Sequence, residues 1–185
     1  MNFEVVIRQV VGSLETQGIR YALIGGFAMA LRGIQRATMD LDFILMLEDM
    51  ARADVILTGC GYKRVFQSEN VSHYTSADND FGRIDILHAF RGPTLGMIKR
   101  ADNMSVFDEL SIKVVQVEDI IGLKVQASVN DVLRARGDWA DIHMMIRAAG
   151  ETGASVDWDL ITEYLDVFSL ENKLVELKET YAAAQ

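Results

Sequence analysis

Three aspartates stand where strands ordinarily carry apolar side chains. Asp40 and Asp42 flank Leu41 in the run MDLDFIL, and Asp85 lies inside RIDILHA. Residues two apart on an extended strand project from the same face, so the Asp40 and Asp42 carboxylates share one face. A carboxylate in such a setting costs several kcal/mol unless a cation or hydrogen-bond donors compensate it, so a positive partner belongs nearby. Three carboxylates on neighbouring strands suit a hard, oxygen-seeking ion such as Mg²⁺, which takes few protein ligands and completes its shell with water and phosphate oxygens. Softer metals find no ligand set, because Cys60 is the sole cysteine and His73, His88 and His143 are scattered. A structural salt-bridge network is the other reading of the same acids.

A second feature precedes the acids. Tyr21-Ala22-Leu23-Ile24 is a short apolar run closed by Gly25-Gly26, and FAMALRG after it has helical composition up to Gly33. A strand, a glycine turn and a helix start expose backbone N–H groups that cradle phosphate. The plainer reading of the pair is a tight turn that needs positive φ.

The elements that must position these groups follow from periodicity. Phe3, Val6, Ile7, Val10, Val11 and Leu14 form one apolar helix face that Gly18 ends. Residues 41–47 read as a strand and 48–58 as a helix stopped by Gly59-Cys60-Gly61. Residues 62–66, 71–76 and 83–88 read as strands, the last two joined as a hairpin by a turn at Asp78-Asn79-Asp80. A further strand is expected over 112–117. From Glu118 the period is helical, with breaks expected near Asn130, Gly137, 150–153 and Ser169. The fold class is therefore α/β (α+β): a mixed sheet flanked by helices over 1–117, and a helical part over 118–185 packed on it as one compact unit.

The chain has 185 residues, half of them apolar and one of them proline, which fits one domain with a helical appendage rather than two independent domains. A net charge of −9 disfavours nonspecific binding to nucleic acid. Lys99-Arg100 and the group Arg134, Arg136 and Arg147 read as solvated faces. No apolar run approaches the roughly 20 residues of a membrane span. The amphipathic start and the lone cysteine lead us to expect a cytoplasmic protein.

Residues 21–45, YALIGGFAMALRGIQRATMDLDFIL, resemble the signature of the DNA polymerase beta-like nucleotidyltransferase superfamily: apolar strand, Gly-Gly or Gly-Ser, short helix, then Asp-x-Asp. The Arg-x-Thr-x-Asp-x-Asp form from Arg36 to Asp42 is similar to a minimal bacterial branch that includes abortive-infection toxins and lincosamide or aminoglycoside nucleotidyltransferases. GRIDILHA matches the strand of the third acid, and VEDIIGLKVQASVNDVLRARGDWADI resembles the toxin branch's helical motif, with Lys124, Asp138 and Asp141 in matching places. Two positions depart from the pattern: Gly26 replaces the usual serine, and Gly137 replaces a basic residue.

The resemblance implies a nucleotidyltransferase that moves a nucleoside monophosphate from a triphosphate such as ATP to a hydroxyl acceptor. Asp40, Asp42 and Asp85 would hold Mg²⁺, with Asp85 also helping to deprotonate the acceptor, while Gly25 and Gly26 would take the β and γ phosphates. Arg36 would reach phosphate or pair with an acid. Lys124 would counter the triphosphate charge or face solvent on an amphipathic helix. Asp138 and Asp141 would orient Lys124 or an acceptor, or serve a helix dipole. The acceptor stays open among tRNA, protein and small molecule, and an antitoxin partner or a homo-oligomer is compatible. A protein of the same fold that binds nucleotide or a partner without turnover is the alternative.

Overall fold

The computed structural model describes residues 1–78, 80–107 and 110–185, and its chain divides into two compact units. One comprises Met1–Leu31 and Arg36–Gln116, the other Arg32–Gln35 and Val117–Gln185. Asn79, in the expected hairpin turn, lies outside the described residues.

The first unit is a seven-stranded mixed sheet with helices. Its first helix, α1 (Phe3–Thr16), is capped by Asn2, whose side chain accepts the Val5 N–H, and it buries Val6, Ile7, Val10, Val11 and Leu14 as the periodicity requires. Strand β1 (Tyr21–Ile24) is buried along its whole length and leads into α2 (Gly25–Leu31). Strand β2 (Asp40–Met46) carries the acid pair at its start, and a 3-10 turn, Leu47–Asp49, then leads into α3 (Met50–Gly59). Strands β3 (Tyr62–Gln67), β4 (Val71–Ser76) and β5 (Arg83–Ala89) follow, with β4 and β5 paired antiparallel as the hairpin expected from the sequence.

Two elements have no counterpart in the sequence reading, α4 (Gly92–Arg100) and β6 (Asp102–Val106). A Gly-Pro step is a common turn signal, yet a proline in the first helical turn costs no hydrogen bond, and Gly92-Pro93 starts α4. Strand β6 is a polar edge strand paired with β7 (Leu110–Val114), so it lacks the apolar alternation that marks an inner strand.

The sheet runs β3-β4-β5-β2-β1-β7-β6. Two of its pairings place the acids. Antiparallel β1 and β2 set Ile24 opposite Asp42, and parallel β2 and β5 set Asp42 opposite Asp85. The apolar members of these strands, among them Leu23, Leu41, Ile44, Ile84 and Ile86, are buried and fix the register, because a slip of one residue would turn each of them to the other face.

The second unit contains α5 (Val117–Asn130), α6 (Val132–Thr152), α7 (Trp158–Val167) and α8 (Lys173–Ala182), around Ile121, Val125, Ile142, Ile146, Leu165 and Leu177. The breaks expected near Asn130, 150–153 and Ser169 fall at helix ends. The break expected at Gly137 does not occur: α6 runs through it, since one glycine costs a helix only ~1 kcal/mol and good helix formers surround it. Asp131 caps α6 at its start, and Gly153, at φ 66°, ends it in the left-handed region. Among the described residues no helix is long and apolar enough to cross a membrane.

Candidate active site

Asp40, Asp42 and Asp85 come together on adjacent strands. Each is half-buried, and each offers a carboxylate oxygen within 4.8 Å of the others'. The in-register pairing of Asp42 with Asp85 and the two-residue spacing of Asp40 and Asp42 explain why all three share a face.

The electrostatics are those of crowded like charges. Burial first, then the Asp40 and Asp85 carboxylates, push the Asp42 carboxyl up to about 7, while the Gly26 N–H bonded to it and the Arg83 guanidinium work in the opposite direction. Arg83 is held above its ordinary value chiefly by its hydrogen bond to Asp85. The acids thus carry more negative charge than their protein partners neutralise. Their donor set is all oxygen, so the site fits a hard divalent cation.

The glycine pair divides its work. Gly25 has φ +69°, the left-handed region in which a side chain is strained, and a Cβ there would lie 2.6 Å from Asp42 Cγ. Gly25 is therefore the turn glycine and also the space into which the Asp42 carboxylate fits. Gly26 is not in that region; a Cβ on it would lie 2.9 Å from Thr38 Cβ, and its N–H donates to Asp42. Arg36 is exposed in the segment before β2.

Three partners of the acids escaped the sequence reading. Thr38 Oγ1 donates to Asp40 Oδ1 at 2.7 Å. Arg83 Nε donates to Asp85 Oδ1 at 2.7 Å, and His73 Nδ1 lies 2.7 Å from the same oxygen. Thr38 and Arg83 stand two residues before Asp40 and Asp85, the spacing that puts side chains on one strand face, so a signal for both was present. His73 has no such signal: it reaches Asp85 only across the β4–β5 pairing.

In the second unit Lys124, on α5, meets two acids of α6. Its Nζ lies 3.0 Å from Asp138 Oδ1 and 2.6 Å from Asp141 Oδ2, and the three side chains are 14%, 5% and 3% exposed. Lys124 is thus largely buried rather than facing solvent, and Asp138 and Asp141 both pair with it. Residues 138 and 141 lie in the interior of α6, away from its first turn, where the dipole acts.

The family model described as "Nucleotidyl transferase AbiEii toxin, Type IV TA system" matches residues 10–182. No curated protein matches the sequence. Among solved structures, the chain is similar to the antibiotic-resistance factor ANT(2'')-Ia in solution, at 12% identity and TM-score 0.66, over 97% of this chain and 98% of that one. It is also similar to the lincosamide antibiotic adenylyltransferase LnuA with lincomycin bound, at 16% identity and TM-score 0.56, over 77% and 95%. A third likeness is to an antigenic nucleotidyltransferase-like protein from Paracoccidioides brasiliensis, at 16% identity and TM-score 0.59, over 97% and 92%. At these identities the likenesses establish a shared fold.

Proposed function

Because the chain belongs to the AbiEii family of nucleotidyl transferase toxins, and is a nucleotidyltransferase on that ground, we propose that it transfers a nucleoside monophosphate from a triphosphate to a hydroxyl acceptor with Mg²⁺ held by Asp40, Asp42 and Asp85. The observation that carries this reading is the approach of three carboxylate oxygens to within 4.8 Å of one another with their charge incompletely offset. A bound divalent ion would supply Lewis-acid polarisation of the phosphate and ease deprotonation of the acceptor hydroxyl.

The chain's own groups have distinct tasks. Asp40, steadied by Thr38, and Asp42, lodged over Gly25, form the nucleotide side of the site. Asp85 stands on the acceptor side and takes the hydroxyl proton. The turn at Gly25-Gly26 offers a backbone surface without side chains, over which the β and γ phosphates lie, and Arg36 reaches toward them. Lys124, which the resemblance implies as the counter-charge to the triphosphate, is held in place within the second unit by Asp138 and Asp141.

Family membership also supports a toxin role with an antitoxin partner. The acceptor class is open to RNA, protein or a small molecule. Incubation of the protein with each α-labelled triphosphate and a cell extract, with and without EDTA, tests the reaction and shows which class takes up the label. No labelled product in the presence of Mg²⁺, under conditions where the protein is folded, would refute the reading. Growth arrest on expression that Asp42→Asn relieves tests the toxin role.

A further inference from the structure

The acids belong to a longer cross-strand row. Phe66 on β3 opposes His73 on β4, His73 opposes Asp85 on β5, and Asp85 opposes Asp42 on β2. Directly opposed residues project from the same face, so the row runs from the edge strand into the candidate cation site.

Phe66 joins this row through a β-bulge. Tyr74 pairs with Arg64, and the register then shifts so that His73 pairs with Phe66. Without the extra residue, Val65 would oppose His73 and Phe66 would turn to the other face. The bulge instead sets the Phe66 ring on the imidazole, with centroids 5.1 Å apart and the two planes inclined by 25°. Phe66 is 49% exposed, so this stack leaves a large apolar side chain at the surface.

The imidazole has one short polar contact, Nδ1 to Asp85 Oδ1 at 2.7 Å. At that separation Nδ1 carries the hydrogen, because two lone pairs would repel; the Arg83 guanidinium nitrogen, 3.3 Å from Nδ1, is then the weaker neighbour. His73 and Arg83 both donate to Oδ1, and among the described residues no hydrogen bond falls on Oδ2. The Arg83 side chain is 48% exposed against 28% for His73, so the stacked imidazole is the stiffer of the two holds.

We infer that His73, clamped by Phe66, is a positioning residue that ties down one oxygen of Asp85 and leaves the other for the cation bound with Asp40 and Asp42. The inference rests on the cation reading given above. It follows the general behaviour of metal sites, in which groups behind the ligands set ligand orientation.

The test is Mn²⁺ binding without turnover, read from the electron paramagnetic resonance signal of free Mn²⁺, with urea melts in EDTA as the control for folding. His73→Ala should weaken Mn²⁺ binding by about tenfold, the low end for loss of such a group. His73→Asn places an amide N–H where Nδ1 stood and should recover most of the affinity. Phe66→Ala should weaken Mn²⁺ binding at an unchanged urea midpoint, and Phe66→Tyr, which keeps the stack, should not.

Wild-type affinity in His73→Ala, or no recovery in His73→Asn, would overturn the positioning role. Should His73→Ala fail to fold, wild-type affinity in Phe66→Ala would overturn the clamp on its own. A wild-type protein that binds no Mn²⁺ would overturn the cation reading and this inference together, whereas binding lost in Asp42→Asn but kept in His73→Ala would remove the inference alone.

Discussion

Replacing Asp42 with asparagine separates a catalytic cluster of acids from a structural one. At an effective dielectric near 20, two unit charges 4.8 Å apart repel by ~3.5 kcal/mol. Asp42 faces two such charges, partly offset by the Gly26 N–H and Arg83, and its carboxyl rises from 3.8 to about 7. Between these values the folded protein keeps a proton that the unfolded chain has lost. Stability without metal therefore falls as pH rises from 3.8 to about 7 and levels off above. The full rise corresponds to ~4 kcal/mol. An asparagine at this position cannot ionise, while its amide oxygen still accepts the Gly26 N–H. In EDTA, urea melts of wild type and Asp42→Asn should thus agree near pH 4 and diverge as pH rises, with the variant the more stable by ~2–4 kcal/mol at pH 8. Titrations of groups that do not interact with Asp42 cancel in the difference. A variant less stable than wild type at pH 8, with nucleotide transfer intact, would mean that Asp42 compensates a buried cation of the protein itself, and the catalytic reading of the cluster would fail.

Mg²⁺ should raise the melting temperature of wild type at pH 8, raise it less at pH 6, where Asp42 must lose a proton to bind, and leave Asp42→Asn nearly unmoved in a thermal scan. Gly25→Ala should lose ~2 kcal/mol or more in urea melts and most of its Mn²⁺ affinity, because it strains a left-handed turn and pushes on the Asp42 carboxylate. Lys124→Met should cost ~3–5 kcal/mol by the same measurement, since it removes the ammonium that both buried acids, Asp138 and Asp141, contact, and Asp138→Asn in the same chain should restore part of the loss.

The strands that hold the site were legible because each joins an apolar run to a turn signal or an acid: Ile24 to Gly25, Leu41 to the acid pair, Ile84 to Asp85. The acids themselves stood out against that background, Asp40 and Asp42 brought to one face by strand alternation and Asp85 singled out by the resemblance of its strand. What lay hidden was pairing. Nothing local to VSHYTS announces that His73 meets Asp85, and the bulge that delivers Phe66 to it shows only as a register shift between two strands. Helix α4 was obscured by the Gly92-Pro93 turn signal, and β6 by its polar composition. The burial of Lys124 was equally out of reach, because it depends on how α6 lies against α5 rather than on the residues around the lysine.

Strand β2 meets β5 in parallel, and a parallel neighbour cannot be reached through a tight turn. The chain spends α3, β3 and β4 between them. As synthesis proceeds, Asp40 and Asp42 emerge early with β1 beside them, yet their third companion arrives only when β5 has been made and has closed a long loop back onto β2. A partly made chain therefore holds two of the acids and no complete site. On the proposed function the cation site is complete only once β5 has docked on β2, so cation uptake during refolding should trace that docking, later than the local β1–β2 contact.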